Sequence, residues 1–257
     1  MSTQTERDGA ERHPDQFQHY LSAVRELIAV MAGNENDRIA DVAEVLAASI
    51  ANGGIVHVFG SGHSSLLAQE VFYRAGGLVP FNAMLDINLT IFGSSRATLL
   101  ERLEGYGPSL LTNYEVHPGE VVIVISTSGI NPVPIEVAET ARSRGATIVA
   151  VTSAAAYQDA ASRHSSGHRL VDVADFVLDT HVPPGDAIEQ VGEVTVGATS
   201  TILGAALLNA LVVATTERLI AEGHPVPAFV SQNVPGGDEH NAALIERYRP
   251  RIPLMKP

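Results

Sequence analysis

The chain has 257 residues, 45% of them hydrophobic as in a soluble core, and a formal net charge of −13 at pH 7. That length fits one large α/β domain with additions. The acidic surplus argues against a nucleic-acid partner, because phosphate backbones need a basic surface. The absence of cysteine excludes disulfides and a thiol nucleophile. No secretory signal is evident, and the apolar stretch 194–213 fits a core helix better than a membrane span. We therefore expect a cytoplasmic protein with no membrane partner.

Two helices are predicted ahead of the first strand. Residues 17–31 carry apolar side chains at helical spacing. Residues 34–50 predict a second helix, which Gly53 and Gly54 end. This N-terminal helical hairpin is expected to serve packing or a subunit interface rather than chemistry.

The first strand, 55–59, leads into a turn of glycine and hydroxyl residues, Gly60-Ser-Gly-His-Ser64, and then into a helix. A dinucleotide-binding fold requires a third glycine, where Ser65 stands, and an acidic residue about twenty positions on, for which Asp86 is loosely placed. A nucleotide-binding oxidoreductase therefore stays open as an alternative that the missing glycine disfavours. No cofactor is predicted.

The most informative stretch follows the strand predicted by the β-branched run 121–125. The next turn reads Ser126-Thr-Ser-Gly-Ile-Asn131, and Pro132 and Pro134 then open a helix. Free amides and hydroxyls converge there at the positive end of a helix dipole, which indicates a phosphate cradle. The alternative is that the hydroxyls only cap the helix and satisfy the turn. Because the chain is acidic, binding has to come from local dipoles and hydroxyls rather than from a positive field.

Four further elements are predicted from periodicity and composition. They are short strands at 76–84 and 176–178, a buried strand at 147–152 and a capped helix at 94–104. His164 and His168 have the spacing of metal ligands on a helix, but Gly167 and the serines between them make that helix doubtful. No metal site is predicted.

A long apolar helix is predicted from about Ile188 to Glu222, with Glu193 near its start. A carboxylate entering an apolar element is either a first-turn residue favoured by the helix dipole or a base made stronger by burial. The tail 229–241, which includes His240, carries many hydrogen-bonding groups. It predicts a site wall or a crossover between subunits.

Two strand–turn–helix units followed by a helix with an early glutamate resemble the sugar isomerase (SIS) family of phosphosugar-binding domains. The resemblance covers 36–222 and extends to a bacterial branch whose chemistry the family does not settle. It leaves 1–35 as a tail and helix, and 223–257 as an extension packing on the same domain or a neighbouring subunit. It implies a flavodoxin-like three-layer α/β/α sandwich around a five-stranded parallel sheet. It also implies a homodimer or homotetramer that binds a small-molecule phosphosugar.

By residue, the resemblance implies sugar contacts at the first turn and phosphate contacts at the second. These residues are Gly60, Ser61, Gly62, Ser64, Ser126, Thr127, Ser128 and Asn131. An aldose–ketose isomerase also needs a base that moves a proton between neighbouring carbons, and a donor for the developing oxyanion. We assign the base to Glu193, and ring opening or oxygen protonation to His63 or His240. The alternative is a non-catalytic phosphosugar sensor or adaptor, in which these three side chains serve structure.

Overall fold

A parallel sheet of five strands forms the centre of the computed structural model, which describes residues 16–255. The strands are β1 (Val56–Gly60), β2 (Phe81–Met84), β3 (Val121–Ile125), β4 (Thr147–Thr152) and β5 (Phe176–Asp179). They lie in the order β2-β1-β3-β4-β5, and every neighbouring pair is parallel. The predicted flavodoxin-like sheet is therefore confirmed. Strand β3 is buried along its whole length, as its β-branched run predicts.

Helices cover both faces of the sheet and make it the middle of three layers. In the described part of the chain they are α1 (Gln16–Ala51), α2 (Ser64–Glu70), α3 (Ser95–Glu101), α4 (Tyr106–Leu110), α5 (Pro132–Ser143), α6 (Leu170–Val173), α7 (Ser200–Ala221) and α8 (Gly237–Tyr248). Alternate side chains of β3 separate two cores. Val121 and Ile123 pack beneath α1 and α7, while Val122 and Val124 pack beneath α5.

The predicted N-terminal helical hairpin is wrong, because α1 runs through the expected break as one continuous helix. Its buried apolar positions keep a common face on both sides of that break: Val24, Met31, Val42 and Leu46. Glu35, inside the break, is fully buried and bonds His181 and the amide of Asp179 at 3.2 and 3.1 Å. Glu35 thus ties the middle of α1 to the end of β5, although Gly33 in the helix interior costs about 1 kcal/mol.

An antiparallel hairpin replaces the first turns of the long helix predicted from Ile188. Its strands are β6 (Ala187–Val191) and β7 (Val194–Ala198). Gly192, at φ +60°, takes the first position of the two-residue turn between them. Helix α7 therefore begins only at Ser200, where Asp186 Oδ1 accepts hydrogen bonds from the amides of Thr199 and Ser200 at 2.8 and 2.6 Å.

Helix α7 is the one helix within residues 16–255 that is long and apolar enough to cross a bilayer. Its buried leucines pack into the core shared with α1: Leu203, Leu207, Leu208, Leu211 and Leu219. It is placed as the core helix expected from the sequence, although only the part from Ser200 is helical.

The C-terminal extension packs on the amino-terminal edge of the chain's own sheet. The amide of Val79, just before β2, donates to the carbonyl of Pro227 at 2.7 Å. Arg251 Nη2 lies 3.0 Å from Oε1 of Glu120, which immediately precedes β3. Residues that precede parallel strands share one edge of the sheet. The extension and the turns that follow the strands therefore lie on opposite edges, about 16 Å apart for a five-residue strand.

Candidate functional site

The sheet order creates a crevice between the carboxyl ends of β1 and β3. The chain leaves β1 toward β2 on one side and leaves β3 toward β4 on the other. In open α/β sheets, ligands bind at such a switch point, because the two connections diverge and leave a gap. The turns 60–64 and 126–131, which we call the first turn and the second turn, both lie at this crevice.

The backbone of the second turn is held by the segment 153–170, which follows β4. Three carbonyl oxygens of the second turn accept hydrogen bonds from backbone amides of that segment. The amide of Ser153 donates to Thr127 O at 3.0 Å, that of Leu170 to Gly129 O at 2.8 Å, and that of Arg163 to Ile130 O at 2.9 Å. In a planar trans peptide the N–H points opposite to the preceding C=O. The amides of Ser128, Ile130 and Asn131 therefore point away from the amides of the 153–170 segment that bind those carbonyls.

Most donors of the second turn are uncommitted. Within residues 16–255, the amides of 127, 128, 130 and 131 donate to no protein acceptor, nor do the hydroxyls of Thr127 and Ser128. The amide of Ser126 continues the sheet ladder, and that of Gly129 donates to Ser126 Oγ at 3.2 Å. The turn is thus open to an external hydrogen-bond acceptor.

Two arginines of the 153–170 segment approach the second turn. Arg163 Nη1 donates to Oδ1 of the buried Asn131 at 2.8 Å. Arg169 lines a small recess of about 10 Å³ together with Ser128 and Tyr157. Two positive charges therefore lie near the turn in addition to its dipoles and hydroxyls, and the expectation that the dipoles and hydroxyls bind the phosphate stays a prediction. The sequence offered no motif to connect these arginines with a turn so distant along the chain.

The first turn is fixed by close backbone contacts. A Cβ on Gly60 would lie 2.4 Å from the carbonyl oxygen of Ser64, so only glycine fits there. The amide of Gly62 donates to Leu89 O at 2.6 Å, which ties the turn to the segment after β2. Ser61 is buried in the turn.

A cavity of about 350 Å³ opens between the first turn and helix α3. Its lining includes His63, Glu101 and the hydroxyl residues Ser94 and Thr98. In the described chain, neither His63 nor Glu101 has a side-chain hydrogen bond or ion pair. Ser94 has φ +51°, a conformation that costs a non-glycine residue on the order of 1–3 kcal/mol and is concentrated at functional sites.

Neighbouring carboxylates are engaged by protein donors. Asp86 Oδ2 accepts the hydroxyl of Tyr106 at 2.5 Å. This bond, with desolvation, raises the pKa of Tyr106 to about 12. Asp86 Oδ1 accepts the amide of Asn88 at 2.9 Å. Glu136 accepts the amide of Gly107 at 2.8 Å.

Comparison with known proteins agrees with this arrangement. The family model described as SIS domain matches residues 19–153. A UPF0309 protein of Halalkalibacterium halodurans is 41% identical over 239 residues, which cover 92% of this chain and 96% of that protein. This chain belongs to the SIS-domain family. A UPF0309 protein of Listeria innocua is 38% identical over 240 residues, which cover 92% and 97% of the two chains.

A solved SIS-type fold also matches. The structure of a phosphoheptose isomerase from Francisella tularensis aligns with a TM-score of 0.53 at 17% identity, covering 79% of this chain and 97% of that one. At this identity the match shows that the two share a fold.

Two of the three side chains predicted as catalytic lie outside the matched SIS region, and the structure places them differently from expectation. Glu193 is exposed in the turn between β6 and β7, not buried at a helix start. His240 is exposed on α8, with Nε2 3.0 Å from the carbonyl of Ala228, in the extension at the amino-terminal edge. The tail is therefore not a wall of its own chain's crevice. Of the three predicted residues, His63 lines the cavity beside the crevice.

The histidine pair considered for a metal points at two different carboxylates. His164 Nε2 lies 3.7 Å from Glu136, and His168 Nδ1 lies 3.1 Å from Glu139. No cluster of three or more potential metal-ligating side chains occurs among residues 16–255.

Proposed function

We propose that this SIS-domain protein binds a phosphorylated sugar at the crevice, with the phosphate held by the second turn. The observation that carries the proposal is the set of amides at Ser128, Ile130 and Asn131, oriented by carbonyls bound to the 153–170 segment. Such amides ahead of a helix bind anions, because the helix dipole adds partial positive charge. Arg163 adds further positive charge beside Asn131.

The sugar would extend from the second turn to the first. Neighbouring strands lie about 4.8 Å apart, so a hexose phosphate is long enough to contact both turns. Its hydroxyl groups would meet Ser61 and Ser64 in the first turn, and Thr98 across the cavity. Membership of the SIS family supports this choice of ligand over a dinucleotide, which the missing third glycine already disfavours.

We further propose that the bound sugar undergoes aldose–ketose isomerisation. This reaction needs an unpaired base and a proton donor within reach of the same substrate. The cavity beside the first turn has both types of side chain in its lining, Glu101 and His63.

A homodimer or homotetramer in the cytoplasm is part of the same proposal. Exposed apolar side chains occur along the segment that forms one wall of the cavity: Ile87, Phe92, Leu99 and Leu103. A second copy of the chain would cover these side chains and shield the cavity from water.

Thermal unfolding with candidate ligands tests the binding proposal. We expect stabilisation by at least one of glucose, glucosamine and N-acetylglucosamine 6-phosphates, and none by the free sugars or NAD. At one hundred times the dissociation constant the gain is about 2.7 kcal/mol. A Thr127→Val, Ser128→Ala double variant is expected to lose this stabilisation, because two hydroxyl donors are removed. Stabilisation by NAD alone would reverse the assignment.

A further inference from the structure

We propose that Glu101 is the base that moves the substrate proton and that His63 is its acid partner. The proposal rests on the isomerase activity proposed above and assigns residues to it. Both residues line the 350 Å³ cavity beside the first turn. No sequence pattern links Glu101 with His63, and the sequence alone predicts no role for Glu101.

Among the residues that the structure describes, the carboxyl group of Glu101 makes no protein hydrogen bond, unlike several other carboxylates around this edge of the sheet. Those that accept protein hydrogen bonds at both oxygens are Glu35, Asp86, Glu104, Glu136, Asp179 and Asp186. A general base needs a free lone pair within reach of the proton it removes. Glu101 accepts no hydrogen bond from any residue in 16–255, so its carboxylate is available to a ligand in the cavity.

Glu101 and His63 come from two different elements that line the cavity. Glu101 shares one face of α3 with Ala97, one turn earlier, and both line the cavity. The facing wall is the first turn, which carries His63. The 2.6 Å hydrogen bond from the amide of Gly62 to Leu89 O joins the first turn to the segment leading into α3. The strained backbone of Ser94, at φ +51°, sets the direction in which α3 starts.

The proton movements balance without an external reagent. In the open-chain aldose phosphate, Glu101 removes the proton from C2, and the electron pair of that bond forms the C1–C2 double bond of an enediol. His63 donates a proton to the oxygen on C1 in the same step. Where C2 carries a hydroxyl, as in glucose 6-phosphate, Glu101 then returns the proton to C1, while that hydroxyl gives its proton to His63 and becomes the ketone. Where C2 carries nitrogen, as in glucosamine 6-phosphate, the same proton removal forms an enolamine in place of the enediol, so the C2 proton still exchanges with solvent. C1 is reduced and C2 is oxidised, so no redox cofactor takes part.

Proton exchange at C2 separates this proposal from simple binding. The full-length protein is incubated with glucose, glucosamine and N-acetylglucosamine 6-phosphates in D₂O, and loss of the C2 proton signal is followed by NMR. In parallel, thermal unfolding measures binding of the same compounds. The variants are Glu101→Gln, which keeps the side-chain shape, and Glu101→Asp, which withdraws the carboxylate. The control is Glu246→Gln, a surface carboxylate on α8 at the opposite edge.

We expect Glu101→Gln to slow exchange of the C2 proton at least 100-fold, and Glu101→Asp to slow it less. The apparent ligand affinity of both variants, measured by thermal unfolding, should stay within threefold of that of the unmodified protein. Glu246→Gln should exchange normally. Exchange that persists in Glu101→Gln overturns the assignment of the base. Binding without exchange in the unmodified protein overturns the assignment and the isomerase activity, while the binding proposal stands. If none of the three compounds binds, the proposed function itself fails.

Discussion

The amide of Leu170 donates a 2.8 Å hydrogen bond to the carbonyl oxygen of Gly129. This contact joins the second turn to a distant part of the chain, the start of α6. Gly129 has φ +64°, a left-handed conformation that turns its carbonyl toward Leu170. The amide of Ile130, in the same peptide plane, then faces the opposite way. Gly129 therefore sets the direction of an amide that we propose binds the phosphate, although the amide of Gly129 itself donates to Ser126 Oγ.

Replacing Gly129 by alanine is expected to lower both stability and phosphate affinity. A left-handed alanine costs roughly 1–2 kcal/mol, and the new Cβ would lie 3.2 Å from Thr152 Oγ1 and 3.4 Å from Leu170 Cβ. Relief of this contact rotates the peptide that carries the Ile130 amide. We expect about a tenfold loss of affinity for glucosamine 6-phosphate by calorimetry, which corresponds to about 1.4 kcal/mol.

Gly223→Ala is the matched control. Gly223 has φ +76° just after α7, and a Cβ there would meet no atom within 4 Å. The free energy of unfolding of Gly223→Ala should fall by about as much as that of Gly129→Ala, with no loss of affinity for glucosamine 6-phosphate. Equal losses of affinity in both variants would mean that general destabilisation, not the orientation of the second turn, controls binding.

Asp186→Ala is expected to destabilise the start of α7. Asp186 Oδ1 accepts hydrogen bonds from the amides of Thr199 and Ser200, and Oδ2 accepts the Ser200 hydroxyl at 2.7 Å. Burial alone would raise the pKa of Asp186, but these bonds outweigh it and lower that pKa. Loss of a cap of this kind costs about 1–2 kcal/mol. Urea unfolding measures this loss of stability in Asp186→Ala. The control is Asp41→Ala, at an exposed helix position, which should change the free energy of unfolding by less than about 0.5 kcal/mol. An equal loss in both variants would remove the capping role.

The central part of the fold could be predicted because each strand is a compact apolar run followed directly by a turn signal. The hairpin at 187–198 was missed for an identifiable reason. Val191, Val194 and Val196 flank Gly192 in a pattern of β-branched alternation, which indicates two strands and a tight turn. Because a long apolar helix follows directly, these residues were interpreted as its first turns. Glu193, which the resemblance and this helical interpretation together assign as the base, lies instead in the turn of the hairpin.

The candidate site could be predicted only where its residues are consecutive in the chain. The second turn is a local motif, so its position before α5 was readable. Tertiary packing brings Glu101 to the cavity beside the first turn, and brings Arg163 and Arg169 to the second turn. No spacing in the sequence links these three residues to either turn. The same holds for the C-terminal extension, since nothing in its composition tells which edge of the sheet Tyr248 and Ile252 cover.

Stability at low pH is expected to depend on Glu120. Burial alone would raise the pKa of Glu120, but hydrogen bonds from His57 and from the amides of His117 and Ile55 outweigh it, so that pKa falls to about 2 from 4.5. The folded state therefore favours the ionised carboxylate, which Arg251 also contacts at 3.0 Å. This contribution is fully present above about pH 4.5 and is lost as the pH falls toward 2. Its size is on the order of 3 kcal/mol.

Urea unfolding between pH 5 and pH 2.5 checks this dependence by difference. The free energy of unfolding should fall more steeply with decreasing pH in the unmodified protein than in Glu120→Gln, which cannot titrate. Glu44→Gln, a carboxylate exposed on α1, should retain the steep dependence. Parallel curves for the unmodified protein and Glu120→Gln would contradict the role of Glu120.

A crystal structure with bound glucosamine 6-phosphate would show where the phosphate lies. We expect phosphate oxygens within 2.7–3.2 Å of the amide nitrogens of Ser128, Ile130 and Asn131, with the sugar directed toward His63 and Glu101. A phosphate bound elsewhere, with these amides facing only solvent, would contradict the proposed binding site.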